Sequence, residues 1–197
     1  RPGLYVCALS GLDPRCPELE PLAGALDAVL STPEMQRRLP DKFSVVLGGG
    51  SRSSSELAAD IHVRLHPAHP GVADLWLAGK VGDPRQGALP LGSCRVSSAA
   101  DAVRRLLLAL DVFPSERRRM REAVAADISH LRQALAPLAC GAPQREPAWG
   151  SPEVGYHTGR VDWFGYALPF GSANADAWSA LARIAEQFGT GEVRFTP

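Results

Sequence analysis

The sequence predicts a mixed α/β fold, and three observations carry that prediction. Residues 60–65 alternate between polar and apolar side chains, as a strand with one buried face does, and residues 74–79 follow as its hairpin partner. The 197-residue chain is 45% hydrophobic, which is enough to bury a core in one domain or slightly more. Apolar residues recur at the spacing of an amphipathic helix at Leu22, Ala25, Leu26, Val29 and Leu30.

The other elements of the first 80 residues follow from local signals. Leu4 to Leu9 predicts a first strand, which Gly11 and Pro14 end. After the helix at 22–30, Thr32 as N-cap and Pro33 at the first helical position predict a second, short helix. A run of β-forming residues from Phe43 to Leu47 predicts the next strand.

Two helices are predicted beyond the hairpin. Residues 80–95 are rich in glycine and proline and predict a loop, with a short strand between Gly87 and Gly92. A helix capped by Ser97 or Ser98 should end near Asp111, and Ser115-Glu116 should cap a longer one. The apolar face of that longer helix is Met120, Val124, Ile128, Leu131 and Leu135.

Composition excludes several function classes. Lysine plus arginine equals aspartate plus glutamate, 21 of each, so no global field draws the chain to nucleic acid or to an acidic membrane surface. No window holds 18 uninterrupted apolar residues, and the first residues lack the features of a signal peptide. We therefore expect a soluble cytoplasmic protein with no nucleic-acid or membrane partner. The start at Arg1 suggests an internal fragment of a longer chain.

Neither the cysteines nor the histidines predict a metal site. Cys7, Cys16, Cys94 and Cys140 include no closely spaced pair, so ordinary thiols are favoured over a disulfide framework, zinc or an iron–sulfur cluster. An alternating strand and a proline-rich loop should scatter three histidines too widely to bind a transition metal, namely His62, His66 and His69.

The stretch from Leu39 to Gly50 holds the main candidate site. A lysine, Lys42, leads into the strand, and Gly48, Gly49 and Gly50 end it where the backbone must turn or let something approach closely. Exposed N–H groups and a cation at such an edge suit an anionic ligand. The alternative is a surface lysine beside a flexible turn.

A second group of cations crowds the start of the long predicted helix, at Arg117, Arg118, Arg119 and Arg121. Arginine grips carboxylates in bidentate fashion, so the group could bind a ligand or a partner surface. Positive charge near a helix N-terminus opposes the macrodipole, however, and the simpler interpretation is a solvated face.

A change of composition predicts a domain boundary. Residues 1–136 form one predicted domain, and the proline- and glycine-rich residues 137–155 form a linker. Residues 156–197 then predict a strand over 159–168, a helix with Gly189 as its stop, and a second strand from Glu192. About 40 residues can hardly close a core alone, so this unit either packs on the first domain or is incomplete.

Two motifs resemble one family. Leu39-Pro40-Asp41-Lys42-Phe43-Ser44 resembles the Leu-Pro-x-Lys-Phe segment of the sulfite and nitrite reductase superfamily, whose precorrin-3B synthase branch often follows it with a glycine-rich turn. The tail, with Pro169-Phe170-Gly171, a helix and a final Val-Arg-Phe-Thr-Pro, is similar to the second ferredoxin-like half-domain of precorrin-3B synthases. Leu9 to Pro14 also resembles their preceding repeat, so the likeness spans most of the chain.

The resemblance implies a fold, a function and a cofactor. It implies a sulfite/nitrite reductase-type repeat domain followed by an incomplete ferredoxin-like half-domain, which together form part of a cavity for a tetrapyrrole. In precorrin-3B synthases that tetrapyrrole is the substrate, precorrin-3A, which is hydroxylated with dioxygen in aerobic cobalamin synthesis. The family's [4Fe–4S] cluster cysteines are not found here, so the cluster and the electron donor are expected only in the full-length protein.

The residue carried over by the motif is Lys42, which matches the first lysine of the reductases' Lys-x-Lys pair. Ser44 stands at the second lysine, and the loss of that cation favours the precorrin branch over reduction of an oxyanion. Catalytic residues are not assigned. The predicted tetrapyrrole-binding set is Lys42, Gly48, Gly49, Gly50, Arg52, Arg160 and Arg194.

Two alternatives stay open at this point. A sulfite or nitrite reductase fragment would carry sirohaem in its full-length form. A non-catalytic module that binds a tetrapyrrole or scaffolds a partner would carry no redox centre.

Overall fold

One six-stranded mixed sheet organises the first three quarters of the chain. A computed structural model describes residues 2–49, 52–66, 68–81, 83, 85, 87–114, 118–143, 154–168 and 172–194. The strands lie side by side in chain order: β1 (Gly3–Val6), β2 (Ser44–Gly48), β3 (Ala59–His66), β4 (His69–Gly79), β5 (Leu89–Arg95) and β6 (Ala139–Gly141). The first three strands are parallel, and each later strand is antiparallel to its neighbour.

Because β1, β2 and β3 run in parallel, the sheet has two distinct edges. We call the edge where they begin, at Gly3, Ser44 and Ala59, the amino edge. The edge where they end, at Val6, Gly48 and His66, is the carboxyl edge.

Most of the helices cover one face of the sheet. Helices α1 (Glu20–Leu30), α4 (Ala99–Ala109) and α5 (Met120–Leu135) contact one another or this sheet, while the short α2 (Pro33–Arg38) follows α1. The core between them contains alternate residues of the strands, including Val45, Leu47, Ile61, Val63, Leu75 and Leu77. The predicted helices at 22–30 and 33–34 are confirmed, and Thr32 accepts a hydrogen bond from the Met35 N–H at 3.3 Å as its N-cap.

The opposite face is covered as well. Helix α3 (Arg52–Glu56) connects β2 to β3, and its Ser54 and Ser55 lie beside Val46 and His62 of the sheet. All eight residues of β3 are consequently buried. The expectation that residues 60–65 have one solvent-facing side was therefore wrong, because α3 and the chain after β4 cover the polar side of the strand.

The long helix differs from its prediction in two respects. Its proposed caps, Ser115 and Glu116, lie outside the described residues, and α5 begins at Met120. Its backbone breaks at Asp127, where φ is −161°, and the Asp127 carboxylate accepts hydrogen bonds from the N–H groups of Ser129 and His130. That side chain restarts the helix as an N-cap does. In α4, by contrast, Ser98 occupies the N-cap position but its side chain makes no capping hydrogen bond.

The tail begins with a small hairpin. β7 (Gly155–His157) pairs with β8 (Trp163–Gly165), so a turn lies where a single strand over 159–168 was expected. Helix α6 (Ala175–Phe188) follows, with Asn174 as N-cap, and Gly189 ends it as predicted. Glu192 to Arg194 form no strand, and residues 195–197 lie outside the described part.

The predicted linker, residues 137–155, contains a strand of the first sheet. Ala139–Gly141, inside the predicted linker 137–155, pairs with β5 and completes the first sheet. Residues 144–153 lie outside the described residues. A mixed α/β fold is thus confirmed, while the finer family fold stays a prediction. In the described part of the chain, no helix has the length and apolar composition that crossing a membrane requires.

Candidate functional site

Lys42 lies in a tight turn at the amino edge. The turn spans Pro40 to Phe43 and is closed by the Phe43 N–H, which donates to the Pro40 carbonyl at 3.2 Å. The Phe43 side chain is fully buried, whereas Lys42 is exposed. The backbone of Lys42 has φ +61°, a left-handed conformation that costs a residue with a Cβ about 1–2 kcal/mol. Glycine or asparagine is usual at such a turn position.

An arginine and an aspartate hold this turn. The Arg119 guanidinium donates to the carbonyls of Lys42, at 2.8 Å, and Asp41, at 3.3 Å. Asp60, only 5% exposed, lies 3.5 Å from the same guanidinium and accepts hydrogen bonds from the N–H groups of Ser44, at 3.0 Å, and Met120, at 3.1 Å. Asp60 therefore joins the start of β2, the start of β3 and the first turn of α5.

Among the described arginines before and within α5, two stabilise the fold through main-chain carbonyls. Arg118 donates to the carbonyls of Phe113 and Arg38, and Arg119 donates to the turn at Lys42. Arg121 is exposed, and Arg117 lies outside the described residues. Two of the four cations are thus engaged with main-chain carbonyls, which matches neither a ligand-binding cluster nor a simple solvated face.

The glycines lie at the opposite edge. Gly48 ends β2, and Gly49 follows it directly against the loop after β1. A Cβ at Gly49 would come within 2.5 Å of the Cys16 Sγ and 2.9 Å of the Pro17 Cδ, so this close approach requires glycine. Gly50 and the side chain of Arg52 lie outside the described residues.

The structure does not bring Lys42 to the glycines. Strand β2 rises ~3.3 Å per residue, which places ~13 Å between Ser44 and Gly48. Lys42 precedes the strand and the glycines end it, so they lie at opposite edges of the sheet. One anionic group cannot contact both.

The two tail arginines lie on the glycine side. The Arg194 guanidinium donates to the carbonyls of Ala8, at 3.2 Å, and Ser10 in the loop after β1. Arg160 is exposed, and its N–H donates to the Leu12 carbonyl at 2.9 Å. Both residues thus attach the tail to the first domain, and Arg194 uses its charge to do so.

A buried cation that the sequence did not indicate lies next to Gly48. Arg64 of β3 is the register partner of Gly48 and is only 4% exposed. It lines a small cleft together with Ser54, Ser55 and His62. The cleft has room for a water-sized group, whereas pockets for drug-sized ligands measure ~300–1,000 Å³, so it does not hold a macrocycle. The alternation of residues 60–65 predicted that Arg64 faces solvent, and only the pairing of β2 with β3 reveals its position.

The histidines of this face have protein partners. The His62 Nε2–H donates to the Gly79 carbonyl at 2.7 Å. Burial lowers the pKa of His62, and the nearby Arg64 charge lowers it further, while the bond to Gly79 acts in the opposite direction. His66 Nε2 lies 3.3 Å from Asp74, which also accepts a 2.6 Å hydrogen bond from Ser93. No metal-binding group of three residues occurs among those described.

The described residues do not fit a [4Fe–4S] cluster. Such a cluster is held by four cysteine thiolates around one centre. Cys7 and Cys16 lie in contact beside β1, whereas Cys94 is in β5, four strands away across neighbours ~4.8 Å apart. Cys140, the fourth cysteine, lies in β6 beside β5.

Comparison with known proteins does not identify a family. No family model and no curated protein matches the chain. The resemblance to precorrin-3B synthases therefore rests on the motifs quoted above.

Proposed function

We propose that this chain is part of an oxygen-dependent precorrin-3A hydroxylase of aerobic cobalamin synthesis, and that Lys42 forms part of the wall of its tetrapyrrole cavity. The proposal rests on the Leu-Pro-x-Lys-Phe resemblance and on one structural observation, the strained and exposed presentation of Lys42. The rest of the cavity would come from other parts of the full-length protein, because the described cleft is too small for a tetrapyrrole.

Backbone strain at Lys42 supports a role in binding. A non-glycine residue persists in the left-handed region only where its surroundings hold it there, and such residues cluster at ligand sites. Here Phe43 anchors one side of the turn in the core, and Arg119 holds both of its exposed carbonyls. The ammonium group then projects from a fixed backbone into solvent, ready to pair with a carboxylate.

A precorrin suits such a group because it carries many carboxylates around an apolar ring. A receptor for it needs cations and N–H donors beside an apolar slot. Lys42 would act as one point charge toward a carboxylate or toward the developing charge of the ring. No catalytic step is assigned to any residue of this chain.

Ser44 supports the precorrin branch over sulfite or nitrite reduction. Its hydroxyl exchanges hydrogen bonds with the Asp60 carboxylate and main-chain N–H, both at 3.3 Å. The position of the reductases' second lysine thus carries a structural hydroxyl, which leaves one cation where oxyanion reduction would use two.

The iron and sulfide content and the absorption spectrum of the natural gene product, purified without oxygen, test the function. An iron–sulfur cluster with no bound sirohaem is the expected result. A sirohaem spectrum would move the function to sulfite or nitrite reduction. A protein without iron would contradict the enzyme proposal and favour a non-catalytic binding or scaffold module.

Affinity for a stable polycarboxylate porphyrin tests the role of Lys42 separately. In the natural gene product, Lys42→Glu should weaken porphyrin binding by about tenfold or more, because a charge-assisted hydrogen bond is replaced by repulsion. Arg37→Glu makes the same kind of charge change on the exposed side of α2 and should leave the affinity within about twofold. Equal affinities for the Lys42→Glu variant and the unmodified protein would remove Lys42 from the site.

A further inference from the structure

Two buried thiols are in contact at the carboxyl edge. Cys7 follows β1 and Cys16 closes the loop after it, with their Sγ atoms 3.9 Å apart. Cys7 is 5% exposed and Cys16 is fully buried. The loop between them is a series of tight turns, in which the Ser10 N–H donates to the Cys7 carbonyl and the Cys16 N–H donates to the Asp13 carbonyl.

This thiol pair lies against Gly49, and the loop that carries it is bonded to the tail. The Gly49 N–H donates to the Cys16 sulfur, and a Cβ at Gly49 would lie 2.5 Å from that sulfur. Arg194 holds the carbonyls of Ala8 and Ser10 in the same loop. Any movement of Cys16 would therefore be transmitted to the end of β2 and to the attachment of the tail.

We propose that Cys7 and Cys16 form a reversible disulfide that changes the shape of the carboxyl edge, with a peroxide as the oxidant. The sulfur–sulfur distance must shorten from 3.9 Å to about 2.05 Å. Because the Cys7 N–H is held by the Leu47 carbonyl at 2.9 Å, we expect Cys16 to make most of this movement. That movement withdraws the Cys16 sulfur from Gly49. The main chain at Gly49 then has one conformation when the pair is reduced and another when it is oxidised.

The chemistry balances with hydrogen peroxide. One thiolate attacks a peroxide oxygen, which breaks the O–O bond and yields a sulfenic acid and hydroxide. The second sulfur then attacks the sulfenic sulfur, the S–S bond forms, and hydroxide leaves. The two hydroxides take up the two thiol protons. Two thiols have lost two electrons, and one peroxide has become two waters.

Burial makes this pair slow to react unless the loop opens. The contact with Cys7, together with burial, raises the pKa of the Cys16 thiol, so little of the reactive thiolate is present in the closed state. Pro14 and Arg15, immediately before Cys16, are exposed and give the loop its accessible side. We expect opening of this loop to limit the rate of oxidation.

The test uses the full chain with Cys140→Ser, which removes the one exposed thiol. The protein is treated with hydrogen peroxide, its remaining thiols are blocked with N-ethylmaleimide after denaturation, and its peptides are mapped by mass spectrometry. The expected product is a Cys7–Cys16 linked peptide that dithiothreitol releases, with Cys94 still blocked. Oxidation of either cysteine to a sulfinic acid without a link, or full blocking of both after treatment, would overturn the proposal.

A second measurement tests the structural consequence and needs no tetrapyrrole. Hydrogen exchange at the Gly49 amide should become about tenfold faster when the pair is oxidised, because its sulfur partner has moved. In a Cys7→Ser variant the same peroxide treatment cannot form the link and should leave that exchange rate unchanged. An oxidised protein with unchanged exchange at Gly49 would refute the coupling, whatever the outcome of the porphyrin experiments.

Discussion

The two edges of the sheet use their charges in different ways. At the amino edge, Arg119 and Asp60 make the structural contacts and leave the Lys42 ammonium exposed on a strained backbone. At the carboxyl edge, the Arg194 guanidinium donates to carbonyls of the loop after β1, and Arg64 is buried beside Gly48. The Lys42 ammonium is thus distant from the glycines that follow it in the sequence.

The largest effect should come from removing the carboxylate beneath the Lys42 turn. Asp60→Ala leaves the N–H groups of Ser44 and Met120 without their acceptor and Arg119 without its counter-charge, so it should lower the free energy of unfolding by about 3 kcal/mol. Urea unfolding measures this change.

Asp101→Ala is the matched control for that experiment. Asp101 is half exposed and pairs with Arg105 one turn along α4, so its loss should cost under about 1 kcal/mol. Similar costs for the two variants would show that Asp60 does not hold the amino edge together.

The second prediction concerns the carboxyl edge. Gly49→Ala places a methyl group 2.5 Å from the Cys16 sulfur and 3.2 Å from the Cys16 Cα, which should cost about 2 kcal/mol of unfolding free energy. Gly24→Ala in α1, where a Cβ meets nothing within 4 Å, should stabilise the protein by about 0.5–1 kcal/mol.

A double-mutant cycle sharpens the assignment at Gly49. If the thiol is the main obstacle, Cys16→Ala should recover part of the cost of Gly49→Ala when the two changes are combined. Strict additivity would contradict this, and the obstacle would then be Pro17 or the backbone.

The third prediction separates attachment from binding. Arg194→Ala removes two charge-assisted hydrogen bonds to the loop after β1, so residues 154–194 should exchange amide hydrogens several-fold faster, an effect of about 1 kcal/mol. Arg183→Ala, on the exposed side of α6, should change nothing measurable. Unchanged exchange in the Arg194→Ala variant would show that this arginine does not attach the tail, and its charge would then be available to a ligand.

Sequence patterns predicted the elements whose periodicity is local. The helix at 22–30, the Thr32 cap and the hairpin of β3 with β4 are all present. Ala139–Gly141 has no strand pattern in its own sequence. It becomes a strand because it pairs with the edge strand β5. The hairpin in the tail was missed because the turn at residues 158–162 owes its position to a distant contact, the Arg160 N–H with the Leu12 carbonyl.

The site was less accessible to sequence reasoning, because it depends on which strands pair and on which edge each residue reaches. The motif indicated Lys42, but not its backbone conformation or its dependence on Asp60 and Arg119. The burial of Arg64 was missed because it lies on the polar side of an alternating strand, and that side would face water in an isolated sheet. Helix α3 and the chain after β4 cover that side and make it part of the interior.

The most direct test of the proposed role is to relieve the strain at Lys42 and measure stability and porphyrin affinity together. Lys42→Gly removes the left-handed strain but adds flexibility to the unfolded chain, so the net gain should be about 0.5 kcal/mol. Ala78→Gly, at φ +60°, is the control, with a stability change of similar size and no change in affinity. We predict that Lys42→Gly is more stable and binds the porphyrin about tenfold more weakly. A variant that is more stable and binds equally well would contradict the account.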